Sequence, residues 1–337
     1  MSKCDLQLEL ERSDYQAGDV VRGVVVVSVN QDVKCNGLAV RLGWRTHGKG
    51  NRDGETDREE IVYNGPWSAG HRHRYPFTFT LPPSPLTYHG QNINIGWFVQ
   101  AQADIPWAFD PKSEAELRVA RGDAPITPPQ LPAYAQEMGP VANIIGGVIS
   151  GFVGLMLSGV GLTAAGAGLL AMVAGEMMGI AFIIFGGAFA FFGVRVLLKP
   201  IRQLMASQRL SDLSFQATPQ RLRPGDDVQI DVSFQLKADT RINMIRVSLI
   251  RQERATSGSG TNKTTHTHNA TVGQLVLREG GRMRRAERFS RAGALQVPEN
   301  AAPSFVSSSN RVLWLARLEI DFDGWPDYSK DIFLMMG

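Results

Sequence analysis

From Val141 to Leu198 the chain carries only two charged residues, Glu176 and Arg195, and between Val141 and Gly175 it carries none. About 20 helical residues cross a bilayer core of roughly 30 Å. The stretch is therefore longer than one span and too short for three spans with turns between them. Two apolar helices folded back as a hairpin over 141–198 remain, with spans near 143–163 and 177–197 and a reversal in or near "TAAGAGLLAMVAGE". Arg195, Lys199 and Arg202 follow the second span while the reversal has no Lys or Arg, so the positive-inside rule puts both flanks in the cytoplasm. Gly147, Gly151, Gly154 and Gly161 are spaced to let two helix backbones approach closely. Glu176 decides between two pictures. At bilayer depth it would need a partner and mark a functional core; at the reversal it is a solvated loop residue.

The flanks of this segment repeat one another. "YQAGDVVRGVVVV" and "LRPGDDVQIDVSF" share Gly18 with Gly225, Asp19 with Asp226 and Val21 with Val228, 207 residues apart. Leu38, Val40 and Leu42 fall on Ile245, Val247 and Leu249 at the same offset. Pro82 meets Pro298, and Ile95, Trp97, Val99 and Ala101 meet Val312, Trp314, Ala316 and Leu318 at an offset of 217. Four segments in order, with one net insertion, make a domain duplication.

Val228, Ile230, Val232, Phe234 and Leu236 alternate with polar residues, the period of a half-buried strand. The matching "VVRGVVVVSV" is apolar on both faces, so it is expected deeper in its sheet. Each copy holds six or seven short strands between Gly, Pro, Asn and Asp turns and has no long amphipathic helix, the pattern of a β-sandwich. Polar hairpin tips, "RTHGKGNRDGETDREE" and "RATSGSGTNKTTHTHN", occupy matching places and suggest a shared face.

"YQAGDVVRG", "FTFTLPPSPLTYHG" leading into "INIGWFVQAQADI", "LRPGDDVQIDVSF" and "VPENAAPSFVSSSNRVLW" together resemble the arrestin-like proteins. The resemblance covers everything outside 125–210. It implies an all-β chain of two tandem arrestin-like, immunoglobulin-like β-sandwiches, working as a non-catalytic adaptor that binds membrane-protein tails, sorting partners or lipid headgroups. The chain departs from that family where the transmembrane hairpin separates the sandwiches. No counterpart of the family's regulatory tail follows "DIFLMM", so tail release on phosphorylation is not expected.

The expected organisation is thus an N-terminal sandwich over 1–124, a Pro-rich linker over 125–140, the hairpin, an amphipathic interfacial helix over 199–212, and a C-terminal sandwich over 213–337. In that interfacial helix Ile201, Leu204, Met205 and Leu210 lie among Lys199, Arg202 and Arg209. The first thirty residues are rich in charge and leave no room for an apolar signal core. Cys4 and Cys35 are too few for a disulfide framework, and a formal charge of +3 spread along the chain points to no nucleic-acid partner.

Candidate chemistry is sparse. His71 with His73, and His266 with His268, sit two apart and would share a strand face, but no Cys or acidic ligand stands nearby at useful spacing. No catalytic elbow, phosphate loop or dinucleotide fingerprint occurs, so no enzyme, cofactor or metal is expected. Arg282, Arg284, Arg285, Arg288 and Arg291 form a basic cluster suited to anionic lipid headgroups or phosphate. The expected function is a membrane-anchored adaptor or scaffold, integral to the bilayer with two spans, presenting both sandwiches to the cytoplasm for an unidentified protein partner. The alternative is the regulatory subunit of a channel or transporter that oligomerises through the Gly-rich hairpin.

Overall fold

The computed structural model of the chain describes residues 2–123, 126, 129 and 140–337, without the side chains of 140–151 and 197–207. The N-terminal half comprises β1 (Cys4–Leu10), β2 (Asp14–Gln16), β3 (Val20–Val29), β4 (Val33–Gly48), β5 (Gly54–Trp67), β6 (Arg72–Thr80), β7 (Tyr88–His89), β8 (Ile93–Asp104) and β9 (Lys112–Ala120). The C-terminal half comprises β10 (Leu210–Thr218), β11 (Arg221–Leu222), β12 (Asp227–Leu236), β13 (Thr240–Ser257), β14 (Thr264–Met283), β15 (Arg288–Gln296), β16 (Phe305–Val306), β17 (Asn310–Phe322) and β18 (Tyr328–Met336). Between them stand α1 (Pro140–Val173) and α2 (Met178–Gln208).

The two halves match strand for strand. Sheet order β1-β3-β6 recurs as β10-β12-β15, and β2-β9-β8-β4-β5 with β7 on β8 recurs as β11-β18-β17-β13-β14 with β16 on β17. Register agrees as well: Trp44 faces Trp97 on β4–β8, and their counterparts Arg251 and Trp314 face each other on β13–β17. In each half the two sheets close over one apolar core, built around Val25, Leu38 and Trp97 in the first and Ile230, Val247 and Trp314 in the second. The alternation of β12 is realised in full, while Val25, Val26 and Val27 of β3 are all buried, as its unbroken apolar run requires.

The shared Gly-Asp pair explains itself in the turn before β3 and β12. Gly18 and Gly225 adopt φ of 91° and 87°, a region that side chains with a Cβ avoid. The next residue ties the turn: Asp19 Oδ2 accepts from the Gln16 amide at 2.9 Å, and Asp226 Oδ2 from the Arg223 amide at 2.6 Å. The matched tryptophans also make the same bond, Trp97 Nε1 to the Pro85 carbonyl at 2.8 Å and Trp314 Nε1 to the Ala302 carbonyl at 3.0 Å.

The hairpin is built the other way round. Of the described side chains and glycines on α1 and α2, the buried ones are Gly154, Ser158, Gly161 and Gly168 against Gly179, Gly186 and Gly193. These recur every three, four or seven residues, so one narrow stripe of each helix faces the other. A Cβ on Gly161 would lie 2.3 Å from Ala190 N, and one on Gly186 would lie 2.5 Å from Ala165 N. Backbone meets backbone there, and nothing larger than hydrogen fits. The large apolar residues point outward: Phe152, Leu162, Leu170, Phe185 and Phe192 are all exposed. Phe152–Val173 and Met178–Val196 are each long and apolar enough to cross a membrane. A soluble helical core would bury those residues instead.

Several expectations change. The reversal lies at 174–177, turning on Gly175 at φ 85°, at the end of the expected stretch, so the first apolar span ends ten residues later than 163. Residues 199–212 are not a separate interfacial helix. Helix α2 continues unbroken to Gln208 and β10 starts at Leu210, so the second sandwich begins at 210 rather than 213. The side chains of Ile201, Leu204 and Met205, and most of the expected linker 125–140, lie outside the described residues.

Candidate functional site

Three places gather polar groups: the tip of the C-terminal half where α2 enters it, the junction between the halves, and a groove beside that junction.

A single residue, Arg209, separates α2 from β10. Its carbonyl accepts from the Lys237 amide at 2.9 Å, and its Nη1 donates to Thr240 Oγ1 at 3.0 Å. Its guanidinium also lies 3.9 Å from the centroid of the Trp325 ring, within cation–π range. The neighbouring turn is held by two amide-to-carboxylate bonds, Arg285 N to Asp239 Oδ1 at 2.7 Å and Arg284 N to Glu287 Oε2 at 2.8 Å. Both of these arginine side chains are exposed. The expected basic cluster is therefore distributed rather than compact. Arg284 and Arg285 occupy the turn, Arg282 lies opposite Arg241 on β14, and Arg288 opens β15 opposite Gln235. Arg291 pairs with Val232, about 10 Å further along the strand at the usual rise. Arg209, Lys237 and Arg241 belong to this tip and were missing from the sequence set, because only the closed turns bring them there.

The other expected sites fare unequally. Gly154 and Gly161 line the helix seam, whereas the side-chain positions of Gly147 and Gly151 lie outside the described residues. The seam's second wall, Gly179, Gly186 and Gly193, was legible from its spacing of seven but had not been singled out. The His71 and His73 rings lie 6.1 Å apart, and His266 and His268 lie on β14. Among the described residues, no group of three or more His, Cys, Asp or Glu is placed to hold a metal ion.

The two polar hairpin tips do share a face, but they turn it toward each other. Asn51 Nδ2 donates to the Gly258 carbonyl at 2.9 Å and the Gly258 amide donates to Asn51 Oδ1 at 3.0 Å. These residues are 207 apart, so each meets its own duplicate. That is the mark of a two-fold interface between related units. Two carboxylates that are not duplicates of one another also cross the junction. Glu253, fully buried, accepts from Tyr88 Oη and Asn92 N at 2.7 Å and from Ile93 N at 3.3 Å. Asp53 accepts from Ser307 Oγ at 2.6 Å, from Ser309 N and Asn310 Nδ2 at 2.8 Å, and from Ser308 Oγ. Each half thus sends one carboxylate into the loop that precedes β8 or β17 in the other.

Burial pushes the Tyr88 hydroxyl pKa up, helped by its bond to Glu253. Burial also pushes the Asp53 carboxyl up, but its four donors outweigh that and hold it below the usual range. Apolar residues complete the junction: Tyr88, Ile93 and Ile95 pack with Ala255, Phe305 and Val312. Trp44 meets Phe305 edge-on at 5.5 Å.

Beside this contact runs an open groove of about 740 Å³. Its walls are duplicate segments, 84–89 from one half and 301–306 from the other, with Arg118 and Arg121 at the end of β9 adding positive charge on one side. Nothing in the separate halves of the sequence announces it, because it exists only once they meet.

No family model matches the chain, and no curated protein matches it.

Proposed function

We propose that the chain is a membrane-anchored adaptor of the arrestin-like type. Its hairpin crosses the bilayer twice, and its two sandwiches stand together on the cytoplasmic side to receive another protein. The observation that carries this is the inverted hairpin: a glycine seam inside and large apolar side chains outside. That arrangement suits lipid, where close backbone packing replaces the hydrophobic drive. The one-residue joint at Arg209 supports it further, since it leaves little freedom between anchor and body. Held at a surface, such a body meets other membrane proteins at a raised effective concentration, so modest interfaces suffice.

On this reading the tip around Arg209 is the part of the C-terminal half nearest the bilayer. Arg282, Arg284, Arg285 and Arg288 then serve anionic headgroups, at about 1 kcal/mol for each side chain near the surface. The channel or transporter alternative draws no support from Glu176, which sits exposed in the turn between the helices rather than within a span.

Reporter fusions at Met1 and Gly337 test the proposal. Both should report the cytoplasm, and a split result would end the hairpin reading.

A further inference from the structure

Outside the hairpin, five large apolar side chains stand exposed among the described residues: Ile61, Trp107, Phe109, Val276 and Trp325. Three of them sit in two matching loops. Trp107 and Phe109 belong to the loop between β8 and β9, and Trp325 belongs to the loop between β17 and β18, the duplicates of those strands. The surroundings match too. Cys4 faces Val29 and Leu210 faces Leu236, and Val29 and Leu236 stand 207 residues apart, so the residues that precede the first strand of each half, Lys3 and Arg209, are duplicates. Each touches its own loop: Lys3 Nζ donates to the Pro106 carbonyl at 3.5 Å, and the Arg209 guanidinium lies 3.9 Å from the Trp325 ring centroid. In the C-terminal half this corner is where α2 enters. In the N-terminal half the same corner presents two fully exposed aromatic rings instead.

The loop that carries them is firmly built. Asp110 accepts from the Ile105 amide at 3.2 Å and from Gln102 Nε2 at 3.0 Å, and the Ala108 amide donates to the Ile105 carbonyl at 3.3 Å. Trp107 takes φ of 61°, a conformation that bulky side chains rarely adopt. The rings are held out by a closed turn.

We propose that the loop 105–111 is a second contact with the bilayer, in which Trp107 and Phe109 enter the boundary between headgroups and acyl chains. Aromatic rings favour that depth, and a projecting loop enters a fluid surface without a preformed pocket to receive it. Lys3 and Lys112, at the base of the loop, keep their charge at headgroup level. The proposal rests on the anchored reading and goes beyond it: the hairpin holds one end of the duplicated body, and the loop brings the matching end to the same membrane. The contact is made by rings entering lipid, not by charge on headgroups, which sets it apart from the basic tip.

The test uses the full chain in proteoliposomes of neutral phosphatidylcholine, with Cys4 and Cys35 replaced and the fluorophore NBD on Ala108→Cys, an exposed position between the two rings. Its emission should be blue-shifted and quenched by doxyl-labelled lipid, in low and high salt alike, because ring insertion is not screened as surface charge is. Trp107→Ser and Phe109→Ser should each lower the inserted-to-free ratio by about tenfold, and together they should restore a water-like, unquenched signal. A separate label on Phe185→Cys, an outward position of α2, reports the anchor and should be quenched in every variant. A water-like signal at 108 with quenching at 185 would overturn the proposal and leave the anchor standing, whereas no quenching at 185 would remove the anchored reading and the proposal with it. Quenching at 108 that survives both serines, or that requires anionic lipid and vanishes in salt, would also overturn it, since the rings would then not be the contact.

Discussion

The sandwiches and the hairpin obey opposite rules within one chain. In each sandwich the fully buried side chains include the largest available, Trp67, Trp97, Trp314 and Phe234, and the outward positions are mostly polar, Trp107 and Phe109 being exposed exceptions. Among the described residues of the hairpin the buried positions are glycines and one serine, while phenylalanine and leucine face out. On the proposed membrane reading the difference is one of solvent. Water makes burial of large apolar area the main source of stability. In hydrocarbon that gain vanishes, and close backbone contact is what remains to hold helices together.

This contrast can be broken most forcefully in the cores. Trp97→Ala and Trp314→Ala each delete a ring with under 2 % exposure and should cost about 3–5 kcal/mol. Because the two residues occupy the same place in duplicate cores, the losses should agree within about 1 kcal/mol, read from denaturant unfolding in detergent by circular dichroism. A large inequality would mean that the halves share topology without sharing packing.

In the hairpin the larger residue should do the damage. Gly186→Leu drives a side chain into the Ala165 backbone and should cost about 1–3 kcal/mol by forcing the helices apart. Leu162→Ala, on an outward position, should leave helix pairing nearly unchanged. A fluorescence-transfer pair across α1 and α2 would record both, and the reverse order of effects would show that the hairpin packs by ordinary core rules.

The junction gives a smaller, pH-dependent effect. The Asp53 pKa is lowered in the folded chain, so the unfolded chain binds more protons as pH falls through the carboxylate range. The stabilisation is therefore complete above the unfolded value and is lost as pH drops through the folded one. Asp53→Asn should lose about 1–2 kcal/mol at neutral pH, with the gap to the parent chain closing in acid. A gap that widens in acid would contradict the assigned hydrogen bonds.

The duplication was legible because strand period and turn chemistry are local. Gly18 and Gly225, like Trp97 and Trp314, could be aligned from spacing alone, and the ladders then reproduce that spacing. The existence of the hairpin was legible from its missing charge. Its helix limits were not, since α2 carries on through Lys199 and Arg202 as one rod where composition suggested a break. Least legible was the junction. Glu253 reads as one more surface charge in "LIRQERAT", and it is buried only because a loop from the other half closes over it. The one trace was that Asn51 and Gly258 stand at the offset of the repeat, which becomes meaningful only once they touch.

The central claim is that the apolar hairpin puts its turn on the far side of a membrane from both sandwiches. Single cysteines at Ser68, Glu176 and Ser259, all exposed positions, in a background with Cys4 and Cys35 replaced, would be treated with a membrane-impermeant maleimide on sealed right-side-out and inverted vesicles. The account predicts that positions 68 and 259 label together from one side and position 176 labels from the other. Labelling of all three from the same side would contradict it.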